Sequence, residues 1–190
     1  EMLESSKYKE RLITVFEKLE TLINELASIE RLTSGIGLTD VNNYRLVDII
    51  DEAMDLAMVE TNSVALNIDS QIFINADFKL FAIAIKNMID NGVKYSSERH
   101  MKVVADSKSI RFISLGPPLE QPLEHYLEPF VQGSNSVKSL GLGLYIVDNI
   151  TKAHHLNLAY RHQNGYNIFS FENLEALIEN SDKTKLLQRS

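Results

Sequence analysis

Apolar residues near the start of the chain follow a spacing that predicts one long amphipathic helix. They recur every three or four positions, at Leu12, Val15, Phe16, Leu19, Leu22, Ile23, Leu26, Ile29 and Leu32. The stripe is wider than a strict coiled-coil seam, as expected for a helix that packs into a bundle. Such a helix either covers the core of its own domain or joins an intermolecular bundle. Because the break "TSGIGLTD" separates it from the next elements of the chain, we favour the bundle.

The remainder of the chain alternates between strand and helix patterns. After a short strand from Val41 to Tyr44, the helical period runs from Leu46 to Met58, from a cap at Asp77 to about Tyr95, and from Gly143 to Ala153. Strand patterns appear in "VALNI", "QIFINA", "MKVVAD", "SIRFIS", "LNLAYRH" and "YNIFSF". We therefore predict an α/β sandwich, a mixed sheet with three helices on one face, preceded by one long N-terminal helix.

The division of the chain follows from the same patterns. We expect a partial helix and linker over residues 1–38, one folded domain over residues 39–173 and a polar tail over residues 174–190. Within the domain, the proline-rich stretch from Gly116 to Leu140 is too long for an ordinary connection and is typical of a lid over a site.

Composition narrows the classes of function. The 190 residues are 44% hydrophobic, enough for one well-buried core, and the net charge of −7 gives no electrostatic reason to bind nucleic acid. Without cysteine the chain forms neither a disulfide nor a thiolate metal site, which fits a reducing compartment such as the cytoplasm. No apolar run approaches the roughly 18 residues of a membrane span.

One predicted helix carries an unusual polar face. In "NMIDNGVKYS", Asn87, Asn91 and Lys94 share one side of the helix. Asparagine is a mediocre helix former, so two on one face indicate a role beyond solvation. The alternative is that they merely solvate an exposed face.

A second candidate site lies in "LGLGL". Gly141 and Gly143 precede and open a helix, whose first N–H groups point outward and whose glycines let the backbone approach an anionic phosphate. The alternative is a simple turn before a helix.

In order and spacing, the asparagine helix, "SLGPPL", "LEPF" and "LGLGLYIVDNI" resemble the N, G1, F and G2 boxes of the ATP-binding catalytic domain of sensor histidine kinases. The resemblance covers Thr39 to Phe171. The helix from Glu1 to Thr33 resembles the second helix of the dimerisation hairpin that precedes this domain. The spacing in "IKNMIDNGVKYS" is also similar to that of the acid-responsive subgroup.

The resemblance implies a role for each motif residue. Asn91 would coordinate Mg²⁺, Asn87 and Lys94 would contact the phosphates of ATP, and Tyr95 would lie against the ribose or base; Asn91 and Lys94 are the implied catalytic residues. Gly141 and Gly143 would approach the phosphates, and Phe130 would anchor the lid to apolar surface.

The G1 region departs from the family pattern. Ser114 stands where the family has an aspartate that reads the adenine amino group, followed by Gly116, and Pro118 replaces the second glycine. Lys138 and Ser139 likewise stand where the G2 box usually begins with further glycines. A hydroxyl accepts a hydrogen bond without the charge of a carboxylate. The resemblance therefore leaves weak binding of adenine as an expectation.

The resemblance also implies partners. The full-length protein would be a membrane-anchored homodimer, associated through the N-terminal helix, with this chain in the cytoplasm. It would transfer the γ-phosphoryl group of ATP to a histidine and then to an aspartate of a response regulator. The acceptor motif surrounds none of the histidines in this chain; His154 and His155 end a helix, where imidazolium would favour the dipole.

Two competing functions remain open from the sequence. One is a degenerate kinase that dimerises and binds nucleotide weakly or not at all, as Ser114 and Pro118 suggest. The other is an ATPase or protein-serine kinase with the same ATP-binding sandwich, against which the long helix from Leu12 to Leu32 argues.

Overall fold

The computed structural model describes residues 37–57, 59–131 and 140–178, together with separate short stretches among the first 34 residues. In those stretches, residues 8–9, 11–16, 19–20, 23, 26–27 and 30 are helical, which agrees with the predicted N-terminal helix as far as it is described. Leu22, Ile29, Leu32, Met58, Lys138 and Ser139 lie outside the described residues, as does most of the predicted tail. Of the helices that are described, none is long and apolar enough to cross a membrane.

The described elements confirm the predicted α/β class. The strands are β1 (Val41–Arg45), β2 (Val64–Ile68), β3 (Phe73–Asp77), β4 (Met101–Ala105), β5 (Ser109–Leu115), β6 (Asn157–Gln163) and β7 (Tyr166–Glu172). The helices are α1 (Leu46–Ala57), α2 (Phe78–Tyr95), α3 (Leu123–Tyr126) and α4 (Gly143–Ala153). The predicted bounds hold within one or two residues, and α3 is a short helix inside the stretch predicted to be a lid.

The main sheet is mixed, with the strand order β2-β4-β5-β7-β6. Strand β2 pairs with β4 in parallel, whereas the other neighbours are antiparallel. Strands β1 and β3 form a separate two-stranded antiparallel sheet, which the strand patterns alone did not reveal.

The core lies between the helices and one face of the main sheet. Along β5 the buried positions alternate, so that Ile110 and Phe112 face the helices. The ring of Phe171 on β7 lies 5.0 Å from that of Phe112 and 6.1 Å from that of Phe81 on α2, measured between centroids. These fully buried rings each contribute about 2 to 3 kcal/mol of hydrophobic stabilisation. They fix α2, which carries both asparagines, against the sheet.

Helix α2 begins and ends where its sequence predicts. Asp77 caps it, because the Oδ1 atom accepts the N–H of Leu80 at 3.1 Å. The helix ends at Tyr95, and the N–H of Ser97 then donates to the carbonyl oxygen of Leu115 at 2.9 Å. The C-terminal end of α2 is thereby attached to the end of β5.

His154 joins the start of α2 to the end of α4. Its Nε2 atom accepts the N–H of Asp77 at 3.1 Å, and its Nδ1–H donates to the carbonyl oxygen of Ile150 at 2.8 Å. The two partners assign the proton to Nδ1. Burial lowers the pKa of His154, and only the neutral ring fits both bonds. The expected stabilisation of an imidazolium by the helix dipole is therefore wrong for this residue, because desolvation outweighs it.

The packed part of the chain extends past the boundary predicted at residue 173. Leu174 and Leu177 are buried in the core, and a helical turn spans residues 175–178. The N–H of Leu174 donates to the carbonyl oxygen of Lys108 at 3.0 Å, which fixes this segment to the β4–β5 turn. Two leucines within a polar stretch gave too little periodicity to predict this from the sequence.

Candidate nucleotide-binding site

The two asparagines of α2 lie against the first residue of α4. Asn87 is almost fully buried, and its Nδ2 donates to the carbonyl oxygen of Ile83 at 2.9 Å, which orients its Oδ1 away from the helix. A methyl group added at Gly143 would lie 3.4 Å from Asn87 Oδ1 and 3.4 Å from Asn91 Nδ2. The fold therefore brings together two motifs that are far apart in the sequence, as predicted.

The start of α4 is suited to an anion. The first N–H groups of a helix have no acceptor within it, and Leu142 at the cap position makes no side-chain cap bond. These groups carry a partial positive charge, and the absence of a side chain at Gly143 leaves the space beside the asparagines open. A phosphate is a ligand that this geometry accepts.

Gly141 has a different reason to be glycine. Its φ is +69°, and the backbone of Val131 lies too close for any side chain. Its carbonyl oxygen accepts the N–H of Phe130 at 3.1 Å. The close neighbour at Gly141 is thus the preceding loop of this chain, and its predicted contact with a phosphate stays a prediction.

The prediction that Phe130 anchors the lid to apolar surface is wrong for this structure. Its side chain is 68% exposed. The backbone at this position is left-handed, with a φ of +66°, and it is held by the bond to Gly141. The residue fastens the loop through its backbone, while the ring points away from the core.

Lys94 and Tyr95 lie at the exposed end of α2. The Lys94 Nζ atom is 5.0 Å from the centroid of the Tyr95 ring, a cation–π contact worth about 0.5 to 1 kcal/mol at an exposed site. Both side chains are exposed, which leaves them accessible to a ligand. The structure places them beside the asparagine face, and their contacts with a nucleotide stay predictions.

Asp90 lies between the two asparagines and was not singled out from the sequence. Burial raises the pKa of its carboxyl group, while Lys86, whose Nζ is 3.1 Å from Asp90 Oδ2, opposes that shift. The pair is an i,i+4 ion pair along the helix. We assign it no role in binding.

Ser114 lies at the other end of the site. It is buried at the end of β5, opposite Met101 on β4 and Asn167 on β7. A methyl group added at Gly116 would lie 3.2 Å from the carbonyl oxygen of Tyr95. Gly116 therefore lies beside the last residue of α2, and since four residues of helix rise about 6 Å, it is displaced along α2 from Asn91. The candidate site therefore has an anion end, at Asn87, Asn91 and Gly143, and a second end at Ser114 and Gly116.

Three polar residues of the β6–β7 hairpin contact the loop after Ser114 and were not predicted. They are Tyr160, His162 and Asn167, whose hydrogen bonds to the loop are 2.9, 3.0 and 2.9 Å long. Polar residues that alternate along a strand are normally read as its solvated face. Only the pairing of β5 with β7 shows that these face the loop.

The residues of the candidate site fit Mg²⁺ only if the phosphates of a bound ligand supply further oxygen atoms. No group of three or more His, Cys, Asp or Glu residues suited to a metal occurs in the described ranges. A Mg²⁺ ion takes oxygen ligands and keeps several waters, so one amide oxygen plus phosphates is a normal set. Asn91 beside the start of α4 offers that arrangement.

Among known proteins, one relative is more than 30% identical in sequence to this chain. No model of a protein family matches the chain. The sensor histidine kinase ArsS of Helicobacter pylori is 32% identical over 168 residues, which are 86% of this chain and 39% of that protein. The chain thus spans about two fifths of the length of this relative.

Solved structures give the same fold. The histidine kinase AdeS of Acinetobacter baumannii matches with a TM-score of 0.69 at 17% identity, over 86% of this chain and 82% of that one. Full-length ShkA in complex with AMPPNP matches with a TM-score of 0.60 at 21% identity, over 82% of this chain and 36% of that one. None of these matches tests the acid-responsive subgroup. The fold and the sequence relationship together confirm the resemblance: this chain belongs to the sensor histidine kinase family.

Proposed function

We propose that this chain is the ATP-binding catalytic region of a sensor histidine kinase. In the complete protein it transfers the γ-phosphoryl group of ATP to a histidine, from which the group passes to an aspartate of a response regulator. The observation that carries the proposal is the position of Gly143 against Asn87 and Asn91, which joins a helix N-terminus to two amides at one anion site. The complex of ShkA with AMPPNP, an analogue of ATP, supports the choice of nucleotide.

Each residue has a role in this proposal. Asn91 holds Mg²⁺, which neutralises phosphate charge when bound. Asn87, Lys94, Gly141 and Gly143 contact the phosphates. Tyr95 packs on the ribose or base, while Ser114 and Gly116 face the adenine. Catalysis then consists mainly of positioning and charge neutralisation.

The acceptor histidine is placed on a helix outside this sequence. His154 is unsuitable, because it is buried and both ring nitrogens are engaged. The other histidines lack the flanking residues of an acceptor segment. We further propose a homodimer associated through the N-terminal helix, in the cytoplasmic part of a protein anchored in the inner membrane.

A degenerate kinase that acts as a dimerising binding module is the second candidate. It is favoured by Ser114, which offers adenine a neutral and buried hydroxyl, and by Pro118 in the loop after it. Measuring nucleotide binding separates the two.

Replacing Asn91 tests the proposed site. Asn91→Asp adds a negative charge and removes a donor beside Gly143, so we expect Mg-ATP to bind at least about tenfold more weakly in calorimetric titration. Asn67→Asp is the matched control, because Asn67 is exposed on β2 and the charge change is the same. Equal affinity of the two variants for Mg-ATP would refute the assignment of Asn91.

A further inference from the structure

The loop of residues 116–119 is held to the β6–β7 hairpin at every residue except Pro118. Two bonds involve Gly116, one Pro117 and one Leu119. They are Gly116 N–H to Gly165 O (3.0 Å), His162 Nε2 to Gly116 O (3.0 Å), Asn167 Nδ2 to Pro117 O (2.9 Å) and Leu119 N–H to Tyr160 Oη (2.9 Å). A loop of "GPPL" has two prolines without an N–H, so its own backbone provides few of these bonds.

Two of the hairpin side chains also bond to each other. The hydroxyl of Tyr160 donates to Asn167 Oδ1 at 2.7 Å while it accepts from Leu119. Asn167 in turn uses its Oδ1 for Tyr160 and its Nδ2 for Pro117. We call Tyr160 and Asn167 the loop clamp. The Tyr160 ring also packs against Phe169, 4.8 Å between centroids, which is a contact outside the loop, and Asn167 is 8% exposed.

The clamp lies at the second end of the candidate site, beside Ser114 and Gly116. Asn167 is paired directly with Ser114 across β5 and β7, and both side chains are on the face that the helices cover. Its Nδ2 atom would be 3.2 Å from a methyl group added at Gly116, the same distance as the carbonyl oxygen of Tyr95.

We propose that Tyr160 and Asn167 are positioning residues for nucleotide binding. They hold residues 116–119 in one conformation, so that Ser114 and Gly116 face the base before the nucleotide arrives. This inference rests on the proposed function. A loop that is already ordered loses less conformational entropy when a ligand binds. Ser114 stands where the family has an aspartate, and a serine is expected to bind adenine more weakly. The clamp thereby offsets part of that loss of affinity.

Tyr160→Phe tests the clamp with little disturbance of packing. It keeps the ring on Phe169 and removes only the hydroxyl, so that Leu119 N–H and Asn167 Oδ1 lose their partner. Asn167→Ala is the second variant. Gln163→Ala is the matched control, because Gln163 is an exposed residue of the same strand that makes none of these bonds.

Binding of two different ligands distinguishes a positioning role near the base from a general disturbance of the fold. Mg-ATP carries a base, whereas Mg-tripolyphosphate carries the phosphate chain alone. We expect the dissociation constant of Mg-ATP to rise about five- to tenfold in Tyr160→Phe and Asn167→Ala, as for the loss of one or two hydrogen bonds. We expect no change in the constant of Mg-tripolyphosphate, and no change in either constant for Gln163→Ala.

Hydrogen exchange in the unliganded protein gives an independent readout. In Tyr160→Phe we expect the amide of Leu119 to exchange about tenfold faster, while the amides of β4 keep their rates. If the native chain binds Mg-ATP and the clamp variants bind it as tightly as Gln163→Ala, the clamp is refuted and the proposed function stands. Equal weakening of both ligands would also refute the clamp. Failure of the native chain to bind Mg-ATP would overturn the proposed function and this inference together.

Discussion

At the scale of single residues, the affinity of the proposed site for a nucleotide depends on the residues around Ser114. The sequence predicts where this residue lies relative to the other motifs. It does not predict that Met101 and Asn167 lie opposite it on the two neighbouring strands, because strand pairing is a long-range property. Ser114 is 8% exposed, so a change of its side chain acts in a buried environment.

Replacing Ser114 by aspartate should tighten ATP binding. A hydrogen bond to a charged acceptor is worth roughly 1.5 to 3 kcal/mol against about 1 for a neutral one, so the expected gain is about tenfold. Discrimination against GTP should rise with it, because the carboxylate would accept from the exocyclic amino group of adenine, where guanine has a carbonyl oxygen that cannot donate. Without nucleotide the variant should unfold at lower temperature, since the carboxylate would be buried unpaired.

Ser70→Asp is the control for this change, because Ser70 is exposed in the β2–β3 turn and gains the same charge. Calorimetry with ATP and with GTP measures the effect. Should Ser114→Asp leave both affinities unchanged while Asn91→Asp abolishes them, Ser114 would not be the adenine-reading residue.

His154 and the loop clamp show what residue patterns leave out. The sequence predicts that His154 ends a helix, but burial in the folded core keeps its ring neutral, and the N–H of Asp77, from another element, fixes Nε2 as the acceptor. Tyr160 and Asn167 lie within segments whose patterns predict strands and nothing about the loop they hold. These hydrogen bonds join segments that are distant in the sequence, so they could not be predicted from local residue patterns.

At the scale of elements, the two helices that form the anion site are held together at two places. The first residue of α4 lies against the asparagines in the C-terminal half of α2, and His154 joins the end of α4 to the start of α2. The bounds of both helices were predictable, because caps and periodicity are local signals. The separate β1–β3 sheet could not be predicted in this way. The same strand patterns would also fit β1 and β3 as members of the main sheet.

Acid should weaken the connection between α2 and α4. Burial is the main cause that lowers the pKa of His154; the bond to Ile150 and the charge of Asp77 oppose it, and neighbouring His155 lowers it further. The folded state therefore resists protonation. Its stabilisation is complete above about pH 6.5, the ordinary value for histidine, and is lost progressively as the pH falls from there toward the lowered pKa.

Urea unfolding at pH 7.5 and at pH 5.5 measures this effect. We expect the free energy of unfolding to fall over this range in the native chain, and His154→Leu to remove that part of the pH dependence. His155→Gln is the control, because His155 is the exposed neighbour. A pH dependence that His154→Leu leaves unchanged would show that another group is responsible.

At the scale of the whole molecule, the apolar stripe of the N-terminal helix is exposed in the described residues. Its described members Leu12, Val15, Phe16, Leu19, Ile23 and Leu26 are all exposed. Of the two interpretations left open by the sequence, the described residues therefore do not support a helix that covers its own core. Monomers seldom expose a contiguous apolar patch of this kind.

We expect the chain to self-associate through this stripe. In sedimentation velocity the native chain should shift from monomer to dimer as its concentration rises, and Phe16→Glu should move that transition to higher concentration. Tyr166→Glu is the control, because Tyr166 is an exposed aromatic residue on the main sheet. A native chain that stays monomeric at high concentration would contradict a dimer formed by this helix.

Phosphoryl transfer tests the central claim most directly. The chain is mixed with Mg²⁺, ATP labelled in the γ-phosphoryl group, and a polypeptide that carries the acceptor helix of the complete protein. We predict label on the acceptor polypeptide that is stable in base and labile in acid, as a phosphorus–nitrogen bond requires, and its loss with Asn91→Asp. No label on the acceptor, from a chain that binds Mg-ATP, would contradict an active kinase and leave the nucleotide-binding module as its function.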